Sequence, residues 1–309
     1  MKLISVVTAC YNEEENVAEL YRQVKEVLAG LKDYHYEHIF IDNASQDRTV
    51  AGLKEIARQD KNVKIIVNAR NFGHIRSPFY GLMQAKGDAV ISIVADLQDP
   101  PALISDLVKK WEDGYKVVVG VKKGSQESRW MFAVRNLFYR IIGTLSEVEQ
   151  VRGFTGFGLY DKKVVDILRK IDDPYPYFRG LIADIGFEIA KIEYAQPTRW
   201  KGITKNNFYT LYDMAMLGIT NHSKVPLRLA TMLGFFISLL SILTALGYLV
   251  YKLVFWNSFN VGIAPLVIGF FFFASVQLFF IGILGEYIGA IHTQVLKRPL
   301  VIEKERINF

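Results

Sequence analysis

Two stretches without a charged side chain, Leu229 to Tyr251 and Val261 to Gly285, constrain this chain more than anything else in it. Each is longer than the ~20 apolar residues a helix needs to cross the hydrocarbon of a bilayer. The second carries an unbroken Phe270-Phe271-Phe272-Phe273 run, which suits lipid better than a soluble interior. A very apolar pair of core helices is the alternative, and it has to bury both helices on every side. The pattern predicts a membrane hairpin over residues 225–292, with spans near 227–252 and 261–288.

Flanking cations predict its orientation. Lys224 and Arg228 precede the first span, and Lys297, Arg298, Lys304 and Arg306 follow the second. The connection from Lys252 to Asn260 carries one lysine. The positive-inside bias then puts both termini in the cytoplasm of a multi-pass protein of the inner membrane, with residues 293–309 as a cytoplasmic tail. Met1-Lys2-Leu3-Ile4-Ser5 runs straight into a strand pattern, so no signal peptide is expected. The formal net charge of +6 suits an anionic bilayer surface. Nucleic acid would attract the same charge, but without aromatic–basic interleaving or a helix-turn-helix pattern it is not expected as a partner. Cys10 is the only cysteine, which excludes disulfides and cysteine metal frameworks within the chain.

Residues 1 to about 195 alternate apolar runs with amphipathic ones, the pattern of an α/β domain around a mainly parallel sheet. Strands are predicted at Leu3–Thr8, His38–Asp42, Val63–Val67, Ala89–Val94, Lys116–Val121 and Phe187–Tyr194. Helices are predicted at Asn16–Leu28, Thr49–Arg58, Ser77–Lys86, Pro101–Glu112, Trp130–Leu145 and Lys162–Lys170. This domain is expected to occupy residues 1–206, ending in a basic loop over 196–206. In residues 207–224, Phe208, Leu211, Tyr212, Ala215 and Leu217 lie near helical spacing. They predict an amphipathic juxtamembrane helix on the bilayer surface, with a helix of the soluble core as the alternative.

Ligands of such sheets sit beyond the carboxyl ends of the strands. Four polar turns fall at that edge: Ala9 to Glu15, Asp42 to Asp47, Asn68 to His74 and Ala95 to Pro101. In the first, the Tyr11 ring and Glu13 suit a nucleoside, while helix capping by Asn12 with an acidic first turn is the plainer explanation. Asp42 offers a carboxylate in the second, where capping by Ser45 or Asp47 is the plainer one. In the fourth, Asp96 and Gln98 place a carboxylate and a carboxamide two residues apart. Such oxygens suit Mg²⁺ or Mn²⁺ shared with substrate phosphates, although an isolated Asp-x-Gln is more often an ordinary polar turn.

The order Y-N-E-E-E-N, I-D-N-A-S-Q-D-R-T, A-R-N-F-G and A-D-L-Q-D-P-P resembles the inverting family-two glycosyltransferases. The two C-terminal spans make the chain similar to polyprenyl-phosphate members, such as dolichol-phosphate mannose synthases and bacterial undecaprenyl-phosphate glucosyltransferases. The resemblance implies a nucleotide-diphospho-sugar transferase (GT-A type) fold and a divalent metal, Mg²⁺ or Mn²⁺. It further implies a nucleotide diphosphate sugar as donor and a polyprenyl phosphate as acceptor; a UDP-linked donor is preferred here over a GDP-linked one, which stays open. Ala9, Tyr11, Glu13, Asp42 and Asp96 would then contact the donor, and Asp96 and Gln98 would hold the metal. Arg199 and Lys205 match the basic positions of the family's R-x-x-G-x-[ST]-K loop and would neutralise phosphate. Arg129, Arg135 and Lys205 are the implied contacts of the acceptor phosphate. Assembly into a homo-oligomer is left open.

Two departures from the family pattern stand out. Val94 replaces the first carboxylate of the usual Asp-Ala-Asp-Leu-Gln. Gly156 and Gly158 stand where the usual Gly-Asp-Phe-Arg-Leu has its Asp and Arg. A lipid phosphate oxygen is already anionic, so it needs positioning more than deprotonation; the altered pocket therefore suggests a different sugar. The other readings are an enzyme that extends a lipid-linked or exported polysaccharide, and a non-catalytic membrane scaffold with a decayed site.

Overall fold

The computed structural model describes residues 1–123, 151, 153–197, 216–220, 223–255 and 263–309. Strands β1 (Lys2–Cys10), β2 (Tyr34–Asp42), β3 (Val63–Asn68), β4 (Ala89–Val94), β5 (Val117–Lys122), β6 (Phe154–Asp161), β7 (Ile189–Tyr194) and β8 (Glu303–Ile307) form one sheet. Their order is β7-β5-β6-β4-β1-β2-β3-β8. β1 pairs in parallel with β2 and β4, β2 with β3, and β5 with β7. β6 runs antiparallel between β4 and β5, and β8 antiparallel along the outer edge of β3.

Side chains alternate across the sheet and feed two cores. Ile4, Val6 and Phe40 face helices α1 (Val17–Gly30), α2 (Thr49–Gln59) and α4 (Ile104–Glu112). Val7, Ile39 and Ile41 face α3 (Gly73–Gln84), α5 (Lys162–Lys170) and α6 (Phe178–Asp184) on the other side. The helices form because their apolar residues recur on one face: Val17, Leu20, Val24 and Leu28 in α1, and Ile104, Leu107, Val108 and Trp111 in α4, are all buried.

A buried histidine sits in the middle of this sheet. His38 is 1 % exposed, its Nε2 lies 2.9 Å from Thr8 Oγ1, and its ring stacks on Phe40. Burial keeps the imidazole neutral and pushes its pKa down to about 3 from 6.5, against the opposing charge of Asp60. A pKa lowered by folding contributes stability that is present above pH 6.5 and is lost as pH falls toward 3. At pH 5 the loss from this group is about 2 kcal/mol. Heat unfolding in detergent at pH 7 and pH 5 is therefore expected to show a smaller acid shift in His38→Gln than in the wild type. Equal acid shifts in the two proteins would refute the assignment.

The structure departs from the sequence expectation in three ways. The helix expected from Ser77 begins at Gly73, because Ser77 is not its cap: the hydroxyl is buried and accepts from Asn68 Nδ2 at 3.0 Å. β6 fills a segment whose glycines hide its strand character, and α6 is too short to show a helical period. The third is the expected tail, 293–309, which is no free tail. Helix α8 (Ile263–Leu296) extends into it, and β8 follows as the sheet's last strand. Glu303-Lys304-Glu305-Arg306 lacks apolar alternation, as the charged edge strands of natural sheets often do. Asn308 Nδ2 donates to Ala57 O and Val63 O, both at 2.8 Å, and Tyr80 OH donates to Glu303.

Helix α7 (Val225–Val254) and α8 are long and apolar enough to cross a membrane, with mean hydropathies of 2.2 and 2.4 over their most apolar windows and no residue of those windows buried. Gln294 and Lys297, at and just beyond the C-terminal end of α8, bond to Asp173 and Asp172 after α5. The expected juxtamembrane helix lies outside the described residues, apart from a helical stretch at 216–220.

Candidate active site

The parallel register brings the carboxyl ends of the central strands to one edge: Cys10 is level with Asp42, Ala9 with Val94, and Asp42 with Val67. Three of the turns beyond that edge contain a non-glycine residue of positive φ: Asn12 (54°), Ala44 (62°) and Leu97 (58°). Asparagine tolerates this region, but alanine and leucine do so at a cost of order 1 kcal/mol or more, and such strain collects at functional sites.

Side chains lock the first two turns together. Asn12 N donates to Ser45 Oγ at 2.8 Å, Gln46 N to Asn12 Oδ1 at 2.7 Å, and Glu13 N to Thr49 Oγ1 at 2.8 Å. Asn12 therefore joins the turns rather than capping α1. Ala9, Tyr11 and Glu13 are half-buried along this edge, and Asn16 Nδ2 holds Glu13 Oε2 at 2.5 Å. Asp42 is fully buried, and its two oxygens accept from the backbone N–H and the hydroxyl of Ser45. Burial raises its pKa against those hydrogen bonds. In this arrangement Asp42 shapes the turn from beneath.

Sequence reasoning missed an asparagine network that fixes the third turn. Asn43 Nδ2 donates to Asn71 Oδ1 at 2.8 Å, while Asn43 Oδ1 accepts from Asn68 Nδ2 and Phe72 N. Paired amides of this kind hold a loop, although Asn68 Oδ1 finds no partner among the described residues. The conspicuous signal was asparagine at or just beyond three consecutive strand ends, Asn12, Asn43 and Asn68.

At the fourth turn, Asp96 Oδ1 accepts from Gln98 N at 3.2 Å, so both candidate metal ligands sit on one tight bend, half-buried. Behind them Asp99 is 2 % exposed and accepts from Tyr194 OH at 2.6 Å. Burial pushes the Asp99 carboxyl up, opposed by the Tyr194 hydrogen bond and by Lys122. Burial likewise pulls Lys122 down, opposed by Asp99 and Asp96. Asp99, Tyr194 and Lys122 carried no role in the sequence reading, although Asp99 lies within the motif itself. No group of three or more His, Cys, Asp or Glu side chains among the described residues forms a metal cage. One carboxylate and one carboxamide are hard oxygen donors, and they fit a cation whose remaining ligands come from substrate phosphate and water.

A cavity of about 180 Å³ opens beside this turn, lined by Val94, Asp99, Thr155, Gly156, Tyr177 and Arg179 among others. The two departures from the family pattern at Val94 and Gly156 thus face one space. Arg129, Arg135, Arg199 and Lys205 lie outside the described residues.

Comparison with known proteins shows the family and the fold. The profile of Glycosyl transferase family 2 matches residues 5–168. An uncharacterized glycosyltransferase of Synechocystis is 35 % identical, covering 97 % of this chain and 94 % of its own. The SfII prophage-derived bactoprenol glucosyl transferase of Shigella flexneri is 34 % identical over 98 % of this chain and 97 % of its own. Among solved structures, glucosyl-3-phosphoglycerate synthase from Mycobacterium tuberculosis, in complex with Mn²⁺, uridine diphosphate and phosphoglyceric acid, superposes with a TM-score of 0.51 at 18 % identity. The match covers 71 % of this chain and 76 % of that one, and it shows a shared GT-A fold. By the profile match and by relatives aligned along almost its whole length, the chain belongs to glycosyl transferase family 2.

Proposed function

We propose that this glycosyltransferase moves a single hexosyl unit from a nucleotide diphosphate sugar, UDP-linked by preference, to polyprenyl phosphate. The site of transfer is the cytoplasmic face of the inner membrane, with both termini on that side. The carrying observation is the full-length likeness to relatives named bactoprenol glucosyl transferase, which takes in both apolar helices as well as the sheet edge.

The acceptor's phosphate oxygen attacks the anomeric carbon while the bond from that carbon to the donor's β-phosphate oxygen breaks. One displacement inverts the configuration and releases the nucleoside diphosphate. No proton has to leave the nucleophile, so positioning and charge screening carry the rate. Ala9, Tyr11 and Glu13 line the nucleoside, with Asp42 shaping the turn that receives it. Asp96 and Gln98 would hold Mg²⁺ or Mn²⁺, which supplies positive charge to the departing diphosphate; the Mn²⁺ complex of the solved neighbour supports that choice. Arg199 and Lys205 complete the neutralisation.

Purified protein incubated with undecaprenyl phosphate, Mn²⁺ and a panel of nucleotide sugars is expected to yield one lipid whose mass equals the acceptor plus one hexosyl residue. Polymeric products, or none with any donor, would overturn the reading.

A further inference from the structure

Helix α6 stands between two cavities. Phe178 and Arg179 line the 180 Å³ space beside Val94 and Asp99. One turn later, Leu181 and Asp184 line a more open groove of about 590 Å³, whose other wall is the C-terminal part of α8, including Tyr287, Ile291 and Val295. The 34 residues of α8 amount to roughly 51 Å of helix at ~1.5 Å per residue, well beyond a hydrocarbon core of ~30 Å. Its last turns nevertheless keep an apolar row, with Ile288, Ile291 and Val295 at 64, 61 and 73 % exposure. A groove thus runs from a membrane-crossing helix to the foot of α6, its apolar floor of Leu181, Tyr287, Ile291 and Val295 edged by Asp173, Asp184 and Lys297, and a cavity holding Asp99 and Arg179 begins at the top of the same helix.

Arg179 is half-buried at that cavity and, among the described residues, makes no hydrogen bond or ion pair. Its charge reaches Lys122, itself close to Asp96 and Asp99. Lys122 and Arg179 thus add two positive charges near the carboxylates of the fourth turn, and a phosphate entering the cavity would meet the Arg179 guanidinium there. A guanidinium suits a phosphate monoester because it offers paired donors in one plane.

We propose that Arg179 binds the phosphate of the lipid acceptor, whose first isoprenoid units lie in the groove between α6 and α8. The inference rests on the polyprenyl-phosphate reading. It adds to that reading a residue and a path that the sequence motifs do not contain. The donor diphosphate is the other phosphate Arg179 could meet, and kinetics separates the two.

With saturating donor, Arg179→Gln is expected to raise the apparent KM for undecaprenyl phosphate on the order of 10- to 100-fold. The KM for nucleotide sugar and the affinity for free UDP stay unchanged, and Arg179→Lys falls between Gln and wild type. Ile291→Asn is expected to raise KM for undecaprenyl phosphate but not for a two-isoprene phosphate, too short to reach that far along the groove. A donor KM that rises with or instead of the acceptor KM, or wild-type kinetics in Arg179→Gln, would overturn the assignment of Arg179. Equal effects of Ile291→Asn on long and short acceptors would overturn the groove. Failure of the wild type to use any lipid phosphate would instead defeat the function reading, so the two failures are distinguishable.

Discussion

Asp96→Asn is expected to cut sugar transfer by a factor on the order of 10² to 10³, with the fold unchanged. The asparagine side-chain oxygen can still accept from Gln98 N, so the bend that carries both residues survives. What disappears is the negative charge that holds a cation at the diphosphate, and removing one electrostatic contact to a developing charge typically costs that much. Initial rates at saturating Mn²⁺, read beside heat-unfolding midpoints, separate the two effects: the rate falls and the midpoint does not. EDTA is expected to silence the wild type and Mn²⁺ or Mg²⁺ to restore it. Undiminished transfer in chelator would remove the metal from the mechanism and Asp96 from its role as ligand.

The largest effect on stability is expected at Gly158. A Cβ there would lie 2.5 Å from Val118 O and 3.1 Å from Val119 Cα, both backbone atoms of the strand paired with it. Gly158→Arg, the residue usual in the family, forces β5 and β6 apart. A cost on the order of 3 kcal/mol follows from such overpacking, and at this domain size it lowers the unfolding midpoint by roughly 6–12 °C. An unchanged midpoint would show that the strands part freely. Gly158 is thus explained by packing, and half of the sequence argument for an altered sugar goes with it.

Gly156 differs. Among the described residues only Phe178 Cδ1, at 3.9 Å, approaches its missing side chain, but its φ of 111° disfavours any other residue. Gly156→Asp is expected to lose activity, and Gly156→Ala tells why. If alanine loses as much, backbone strain is responsible; if alanine is near wild type, the added carboxylate repels substrate. A gain of activity in Gly156→Asp would defeat the idea that this position selects the sugar.

The fold was legible where periodicity was strong. The expected β4 matches residue for residue, and β1, β2, β3, β5 and β7 differ only at their ends, because each is a buried apolar run flanked by polar turns. β6 escaped because Gly156 and Gly158 interrupt its alternation, and β8 because its charged middle reads as solvent-facing tail. The edge carrying the chemistry was legible as a set of turns, but the partners within it were not. Asn12 pairs with Gln46 and Ser45, and Asp99 with Tyr194, across sequence separations that no local pattern encodes. Arg179 stands on a seven-residue helix whose position against α8 only tertiary structure reveals.

The place of β8 has a consequence for biosynthesis. Its partner β3 leaves the ribosome long before Glu303 to Ile307 do, with both apolar helices made in between. At ~5–20 residues per second, the outer edge of β3 waits roughly ten to fifty seconds for its cover. During that interval the nascent domain offers an unpaired strand edge, the kind of surface on which chains aggregate. Completion of the sheet therefore waits until both apolar helices have been made, so a chain stalled before α8 is made keeps that edge open to chaperones and proteases.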